Sequence, residues 1–235
     1  MSLLRTMRWL SVIAALAGAV LLFQALSKPP NGRHCEDTEA GAPCALRGMR
    51  LPGLSLQLAR STYEVGRIAP SPAARDMLLA DIRRDYWLIL GYCLLLVGLG
   101  WLLGRRHPTL GAVVIACTLG GAALDIAENI AITAELGAGA LTPWMVKLVL
   151  WTSSSKWLLL FIATAALSAL FVRPASLIMK VAAVVLIAAA LVGIYGLAVQ
   201  RALVETGFLL MLAAIVISGV AWLFAYRHFA EGEVE

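Results

Sequence analysis

Three polar side chains interrupt an apolar stretch that is long enough to cross a lipid bilayer. Asp125, Glu128 and Asn129 lie within residues 112–136, and Lys156 lies in the next apolar stretch. A charged side chain at bilayer depth costs about 2.5–3.5 kcal/mol even on the lenient insertion scale, so such residues usually face protein and have a partner or a function. These four residues therefore form the candidate functional cluster, with Lys156 as the candidate counterion.

The spacing of the polar residues predicts that they share one helix face. Those of the first stretch recur at steps of three or four, and they are Thr118, Gly121, Asp125, Glu128 and Asn129. Ser153 and Lys156 fall on a comparable stripe of the next helix. Consecutive antiparallel helices with a short connection are usually neighbours, so we expect an ion pair between Lys156 and one carboxylate. Thr118 and Ser153 are the expected supporting residues.

One ammonium group facing two carboxylates leaves a surplus negative charge in a poorly solvated place. Protonation of one acid or a bound cation would relieve it. Three interpretations follow: a proton or ion site, an acid/base pair or lipid-headgroup site, and a structural ion pair in which Asn129 completes the hydrogen bonds and the pair sets helix register. The sequence leaves all three open.

Several other chemistries are excluded by the motifs. The chain contains no H-E-x-x-H, G-x-S-x-G or C-x-x-C motif, and His34, His107 and His228 all lie outside the apolar stretches. We therefore predict no metal site and no cofactor, and we favour a non-enzymatic role. The net charge of +5 comes without a phosphate-binding loop or a zinc-finger pattern, so it indicates basic residues beside anionic lipid headgroups and no nucleic-acid partner.

The elements that carry these residues are membrane helices. A chain that is 61% hydrophobic and 14% charged is too apolar for an ordinary soluble domain. Windows of about 20 apolar residues predict six transmembrane helices, at about residues 8–26, 86–104, 109–134, 145–172, 176–199 and 206–226. The fold class is therefore an all-α polytopic membrane helix bundle. A β-barrel is excluded because these stretches are continuous and lack strict alternation.

Basic residues in the short loops predict the orientation. Arg5, Arg8, Arg105, Arg106 and Arg227 fall on one side if both termini are cytoplasmic. Residues 1–26 then form an uncleaved anchor helix. The alternative is a signal peptide cleaved after Ala25-Leu26-Ser27, which would leave five spans.

Residues 27–85 are predicted to form one long extracytoplasmic loop. Its first part is rich in Pro and Gly and carries Cys35 and Cys44, which would readily form a disulfide in an oxidising compartment. Its second part predicts an amphipathic helix, begun by Ser71 as N-cap, that either rests on the membrane surface or covers a site between the helices. Residues 86–226 then form a five-helix bundle, and residues 227–235 form a cytoplasmic tail.

Three sequence segments carry a resemblance to a known group of proteins. "LQLARSTYEV", "RRDYWLILGY" and "LDIAENI", followed by the lysine, resemble a group of uncharacterised bacterial multi-pass membrane proteins that share a D-x-x-E-N helix. The resemblance covers roughly residues 54–160. The positions that it singles out are Asp85, Tyr92, Asp125, Glu128, Asn129 and Lys156. Gln57 departs from the acidic residue expected near it, and the resemblance implies no reaction.

These observations together predict a bacterial inner-membrane protein with a binding, transport-related or accessory role. The alternatives are an intramembrane enzyme that acts on a lipid or quinone, and a structural scaffold with a buried ion pair. Membrane lipids are the expected partners. Gly100 and Gly104 form a GxxxG pattern that serves either packing within the chain or contact with a second copy or another membrane protein. The sequence does not indicate a substrate.

Overall fold

A computed structural model describes residues 13, 16–20, 23, 33–34, 43–138, 142–172, 177–214 and 217, and this part of the chain is predominantly helical. Its helices, in chain order, are α1 (Pro52–Gln57), α2 (Thr62–Ile68), α3 (Pro72–Leu103), α4 (Pro108–Ala138), α5 (Pro143–Phe171), α6 (Leu177–Ala198) and α7 (Ala202–Ala214). A short 3-10 helix, Gly104–Arg106, follows α3. Two short parallel strands, β1 (Arg33–His34) and β2 (Cys44–Ala45), precede α1.

Four helices of the described residues are long and apolar enough to cross a membrane, namely α3 to α6. The helical fold class therefore agrees with the prediction, and α7 is a shorter apolar helix within the described residues. Most of the predicted first span, residues 8–26, lies outside the described residues. The predicted sixth span, residues 206–226, is described only as far as Ala214 and at residue 217. The total of six spans stays a prediction.

Helix α3 is longer than the predicted second span. Ser71 begins it by accepting a hydrogen bond from the Ala74 amide at 3.1 Å, and Pro72 occupies its first turn, as the sequence predicts. The helix then continues without a break past Asp85, so the expected boundary between loop and bundle at residues 85 and 86 falls inside it. The charged residues before Asp85 lower the hydropathy of this segment but are compatible with helix, and the predicted amphipathic helix and second span are one element.

Consecutive long helices pack against one another in chain order, α3 on α4, α4 on α5 and α5 on α6. Helices α3 and α4 approach closely at Gly104, where a methyl group would lie 2.6 Å from Gly111 Cα. Gly100 similarly faces Val114. The GxxxG pattern therefore serves contact between two helices of the same chain.

Residues 43–71, which we call the cap segment, pack over one end of the bundle. Leu54 and Leu58 join the core around Ile89 and Tyr92, whereas other apolar side chains of the segment contact the adjoining ends of α4 and α5. The latter residues are Leu56, Ala59, Val65, Ile68 and Ala69. Over these residues the predicted loop is folded and covers the end of the bundle.

Polar contacts with the turn between α6 and α7, and with α7 itself, hold the cap segment in place. Arg201, between α6 and α7, forms a two-pronged ion pair with Glu64, with both N–O distances 2.8 Å, and donates to the Leu58 carbonyl at 2.9 Å. The Arg50 amide donates to Glu205 at 2.8 Å. Cys44 takes part in a disulfide bond. Its predicted partner, Cys35, lies outside the described residues, and the pairing itself stays a prediction.

Candidate functional site

Lys156 lies at the centre of the buried polar residues, and its side chain is 1% exposed. Its Nζ lies 2.8 Å from Asp125 Oδ1 and 2.9 Å from Glu128 Oε2, both on α4. A third contact, 3.3 Å long, runs from Nζ to Gln57 Oε1 at the end of α1. An ammonium group has three N–H donors, and three acceptors surround this one. The predicted ion pair between α4 and α5 is present, and it includes both carboxylates.

Asp125 is held by two elements besides its own helix. Its Oδ1 accepts from Lys156 on α5, and its Oδ2 accepts from the Tyr92 hydroxyl on α3 at 3.1 Å. Each carboxylate oxygen therefore accepts a hydrogen bond from a different neighbouring helix. Asp125 is therefore the best-partnered acid of the cluster.

Asn129 connects the cluster to a third carboxylate. Its Nδ2 donates to Asp85 Oδ2 at 2.9 Å, across the interface between α3 and α4. Asp85 lies near enough to Asp125 and Lys156 to interact electrostatically with both of them. Asp85 is also the more accessible end of the group, since Asn129 is fully buried whereas the residue Asp85 is partly exposed.

Helical spacing explains why these side chains meet. Asp125 and Glu128 are one turn apart on α4, so both face α5, and Asn129 is turned toward α3. We call the five residues Asp85, Asp125, Glu128, Asn129 and Lys156 the acid–lysine cluster.

Some polar atoms in the cluster lack a hydrogen-bond partner among the described residues. Ser153 on α5 lies beside Glu128, but neither its hydroxyl nor either Glu128 oxygen completes a hydrogen bond of ordinary geometry. The Lys156 contact with Glu128 is thus an ion pair whose angles are poor for hydrogen bonding. Asn129 Oδ1 is also without a donor. Buried polar atoms are normally satisfied, so each exception requires an explanation.

The charges of the described cluster do not balance. Asp85, Asp125 and Glu128 supply three carboxyl groups, and Lys156 supplies one ammonium group. Two of these acids are almost completely buried, at 4% exposure for Asp125 and 0% for Glu128. Buried unpaired charge is costly, so the arrangement favours the uptake of a proton or cation.

The structure brings together most of the site residues expected from the sequence, and these are Asp85, Tyr92, Asp125, Glu128, Asn129, Ser153 and Lys156. Thr118 is the exception. Its hydroxyl donates to the Val114 carbonyl of its own helix at 2.7 Å, two turns from Asp125. Within the described residues no group of three or more His, Cys, Asp or Glu side chains is arranged to hold a metal ion.

Three residues at or near the site have roles that the sequence patterns do not indicate, namely Gln57, Glu64 and Arg201. Gln57, which departs from the acid expected near it, contacts Lys156 directly, whereas Glu64 and Arg201 hold the cap segment. Arg201 is the one basic residue in the short turn between α6 and α7, and such an isolated charge indicates a specific partner. That partner, Glu64, lies 137 residues away in the chain, and sequence spacing could not identify it. The Arg201 guanidinium holds the pKa of Glu64 below its ordinary value of 4.5.

Comparison with models of known protein families, with curated proteins and with solved structures yields no match for this chain.

Proposed function

We propose that this protein is a multi-pass bacterial inner-membrane protein that binds a proton or an alkali metal ion in the acid–lysine cluster. The role is binding or transport-related, or accessory to another membrane protein, rather than enzymatic. The observation that carries the proposal is the meeting of three carboxyl groups with one ammonium group in a buried place. A bound positive charge is the simplest way to offset the surplus.

The proposed membrane arrangement has six spans with both termini in the cytoplasm. Four span-length helices support it, and the exposed basic residues Arg105 and Arg106 lie at the end opposite the cap segment. At about 1.5 Å per residue, Asp85 lies about 30 Å along α3 from Arg105, which matches the thickness of the hydrocarbon layer. The cluster would then lie near the outer edge of that layer, beneath the cap segment.

Access to the cluster is proposed to come from the cap side only. On the opposite side of Tyr92 the described interior is filled by apolar side chains, among them Leu95, Leu96, Leu160 and Phe161. Thr118 and Thr164, which also lie there, bond to carbonyls of their own helices. This environment favours binding or sensing at one side over conduction through the described helices.

The alternative to ligand binding is a purely structural role for the same cluster, and the contacts of Lys156 support it. Lys156 has three acceptors, and an ion pair between α4 and α5 fixes the register of these two helices. The two roles differ in one respect: a purely structural pair responds neither to sodium nor to mild acid.

Ligand-dependent stability distinguishes these roles, because a species that binds only the folded protein raises its melting temperature. We expect the purified full-length protein to be stabilised either by sodium chloride relative to choline chloride at equal ionic strength, or by mild acidification. The double variant Asp125→Asn/Glu128→Gln, which removes both acids paired with Lys156, should remove that response. Asp81→Asn is the matched control, since Asp81 is an acid of α3 that pairs with Arg84 at an exposed position. Equal responses in wild type and the folded double variant would refute the proposal.

A further inference from the structure

The three carboxyl groups of the acid–lysine cluster differ in the hydrogen bonds that they accept from the described residues. Asp125 accepts one on each oxygen, from Lys156 and from Tyr92. Asp85 accepts one from Asn129. Glu128 is fully buried and accepts none of good geometry within the described part of the chain. Glu128 has the ion pair with Lys156 at 2.9 Å, but of the three acids it accepts the fewest hydrogen bonds, which are the interactions that fix a carboxylate in its charged form.

The atoms without partners around Glu128 are mainly acceptors. They are both Glu128 oxygens, Asn129 Oδ1 and the Ser153 hydroxyl oxygen, all on buried residues. The orientation of the Asn129 amide follows from its Nδ2, which already donates to Asp85, and so Oδ1 is the atom left over. The hydroxyl of Ser153 can donate one hydrogen bond and accept another. The group thus holds one donor hydrogen, on Ser153, for three carboxylate and amide oxygens, and what it lacks is a further donor.

A proton on Glu128 supplies that donor. The neutral acid can donate to the Ser153 hydroxyl oxygen, which lies beside it. No such balance is obtained by adding a metal ion, because the ion would lie close to the ammonium group that is 2.9 Å from Glu128. The unpartnered atoms thus distinguish between the two classes of ligand.

We infer that the positive species bound by this protein is a proton and that Glu128 is the residue that carries it, with Ser153 as its hydrogen-bond partner. The inference rests on the proposed function and names its ligand. The proton comes from water on the cap side, it converts the Glu128 carboxylate to the acid, and the charge of the cluster rises by one. The charged groups that interact with Glu128 are Asp125 on α4 and Lys156 on α5. On α3, Asp85 interacts with both of these residues and Tyr92 donates to Asp125.

Infrared difference spectroscopy tests this assignment on the full-length protein in lipid nanodiscs. Mild acidification should produce the carbonyl band of a buried carboxylic acid, and deuterium oxide should shift the band. Glu128→Gln should abolish it. Asp125→Asn removes the other acid paired with Lys156 and should leave a band, because Glu128 is still present. Ser153→Ala should move the frequency of the wild-type band, since it removes the hydrogen-bond partner of the neutral acid.

Several outcomes would overturn the inference. It fails if the band persists in a folded Glu128→Gln protein, or if Ser153→Ala leaves its frequency unchanged. It also fails if no acid band forms but sodium changes the carboxylate bands, and in that case the proposed function survives with a metal ion as ligand. If neither acid nor sodium changes the spectrum, both proposals fail. Should Glu128→Gln not fold, the frequency shift in Ser153→Ala decides the question in a chain that retains every acid.

Discussion

At the scale of single residues, the site depends on one ammonium group that connects three elements. Lys156 on α5 contacts Asp125 and Glu128 on α4, and Gln57 from the cap segment completes its surroundings. The same contacts make Lys156 the residue whose loss matters most, because the acids around it would lose their counterion while staying buried.

Replacement of Lys156 by methionine should therefore destabilise the protein strongly. Removal of one partner of a buried ion pair costs about 3–5 kcal/mol, since the other charge remains buried and unpaired. Lys147→Met is the matched control, because Lys147 is an exposed residue of the same helix. The free energy of unfolding in mixed detergent micelles would measure both changes. Equal stability of the two variants would show that the ion pair does not carry the energy assigned to it.

At the scale of helices, close packing and the cap segment together position the acid–lysine cluster. Contact between α3 and α4 at Gly104 and Gly111 sets how near Tyr92 and Asp85 come to the polar face of α4. The cap segment adds Gln57 from above, and Arg201 holds that segment through Glu64. Gly104, Glu64 and Arg201 do not contact the cluster, so each can be replaced while every cluster residue is retained.

Gly104→Ala should force α3 and α4 apart. The added methyl group would lie 2.6 Å from Gly111 Cα, a backbone atom that cannot rotate away. Such overpacking costs about 1–3 kcal/mol. Gly137→Ala in α4 is the control, because a methyl group there meets nothing within 4 Å. Thermal unfolding would measure the difference, and a Gly104→Ala protein as stable as Gly137→Ala would contradict the packing described.

The ion pair between Glu64 and Arg201 should make attachment of the cap segment depend on pH. The pKa of Glu64 is lowered in the folded protein, chiefly because the Arg201 side chain donates hydrogen bonds to it. The stabilisation is therefore full above the ordinary pKa of 4.5 and is lost as the pH falls through the lowered value. Because the pair is partly exposed, we expect an effect of about 1 kcal/mol or less.

Hydrogen–deuterium exchange of the cap segment amides would follow this loss. Exchange should quicken in acid, once corrected for the intrinsic rate, in wild type. In Glu64→Gln it should be faster at neutral pH and respond less to acid. Asp81→Asn breaks an exposed ion pair elsewhere and should behave as wild type. If Glu64→Gln retains the wild-type response, another group controls the attachment.

At the scale of the whole molecule, local patterns were predictable from the sequence and distant contacts were not. The steps of three and four between Asp125, Glu128 and Asn129 identified the polar helix face, because helical periodicity is a local property. Hydropathy predicts two elements, an amphipathic helix and a span that begins after Asp85, where the structure has the single helix α3. The reason is that hydropathy measures transfer into lipid and not the tendency to be helical. The contacts of Gln57 and Arg201 depend on how the cap segment folds over the bundle, which no local pattern encodes.

The orientation of the molecule in the membrane is a further prediction at this scale. In a chain with Cys93 and Cys117 replaced by alanine, Tyr63→Cys in the cap segment should react with a membrane-impermeant thiol reagent in intact spheroplasts. Arg106→Cys, at the opposite end of α3, should react only after permeabilisation. Tyr63 is 73% exposed, so the reagent can reach this position. Labelling of Arg106→Cys in intact spheroplasts would reverse the proposed orientation.

The number of protons that the purified protein takes up on mild acidification in sodium-free solution tests most directly whether the acid–lysine cluster accepts positive charge. The acidification should stop well above the ordinary pKa of exposed acids, so that these do not contribute, and the three histidines of the chain are common to every variant compared. We predict that wild type takes up more protons per chain than the double variant Asp125→Asn/Glu128→Gln, whereas Asp81→Asn matches wild type. Equal uptake by wild type and the folded double variant would contradict the claim that the cluster accepts positive charge.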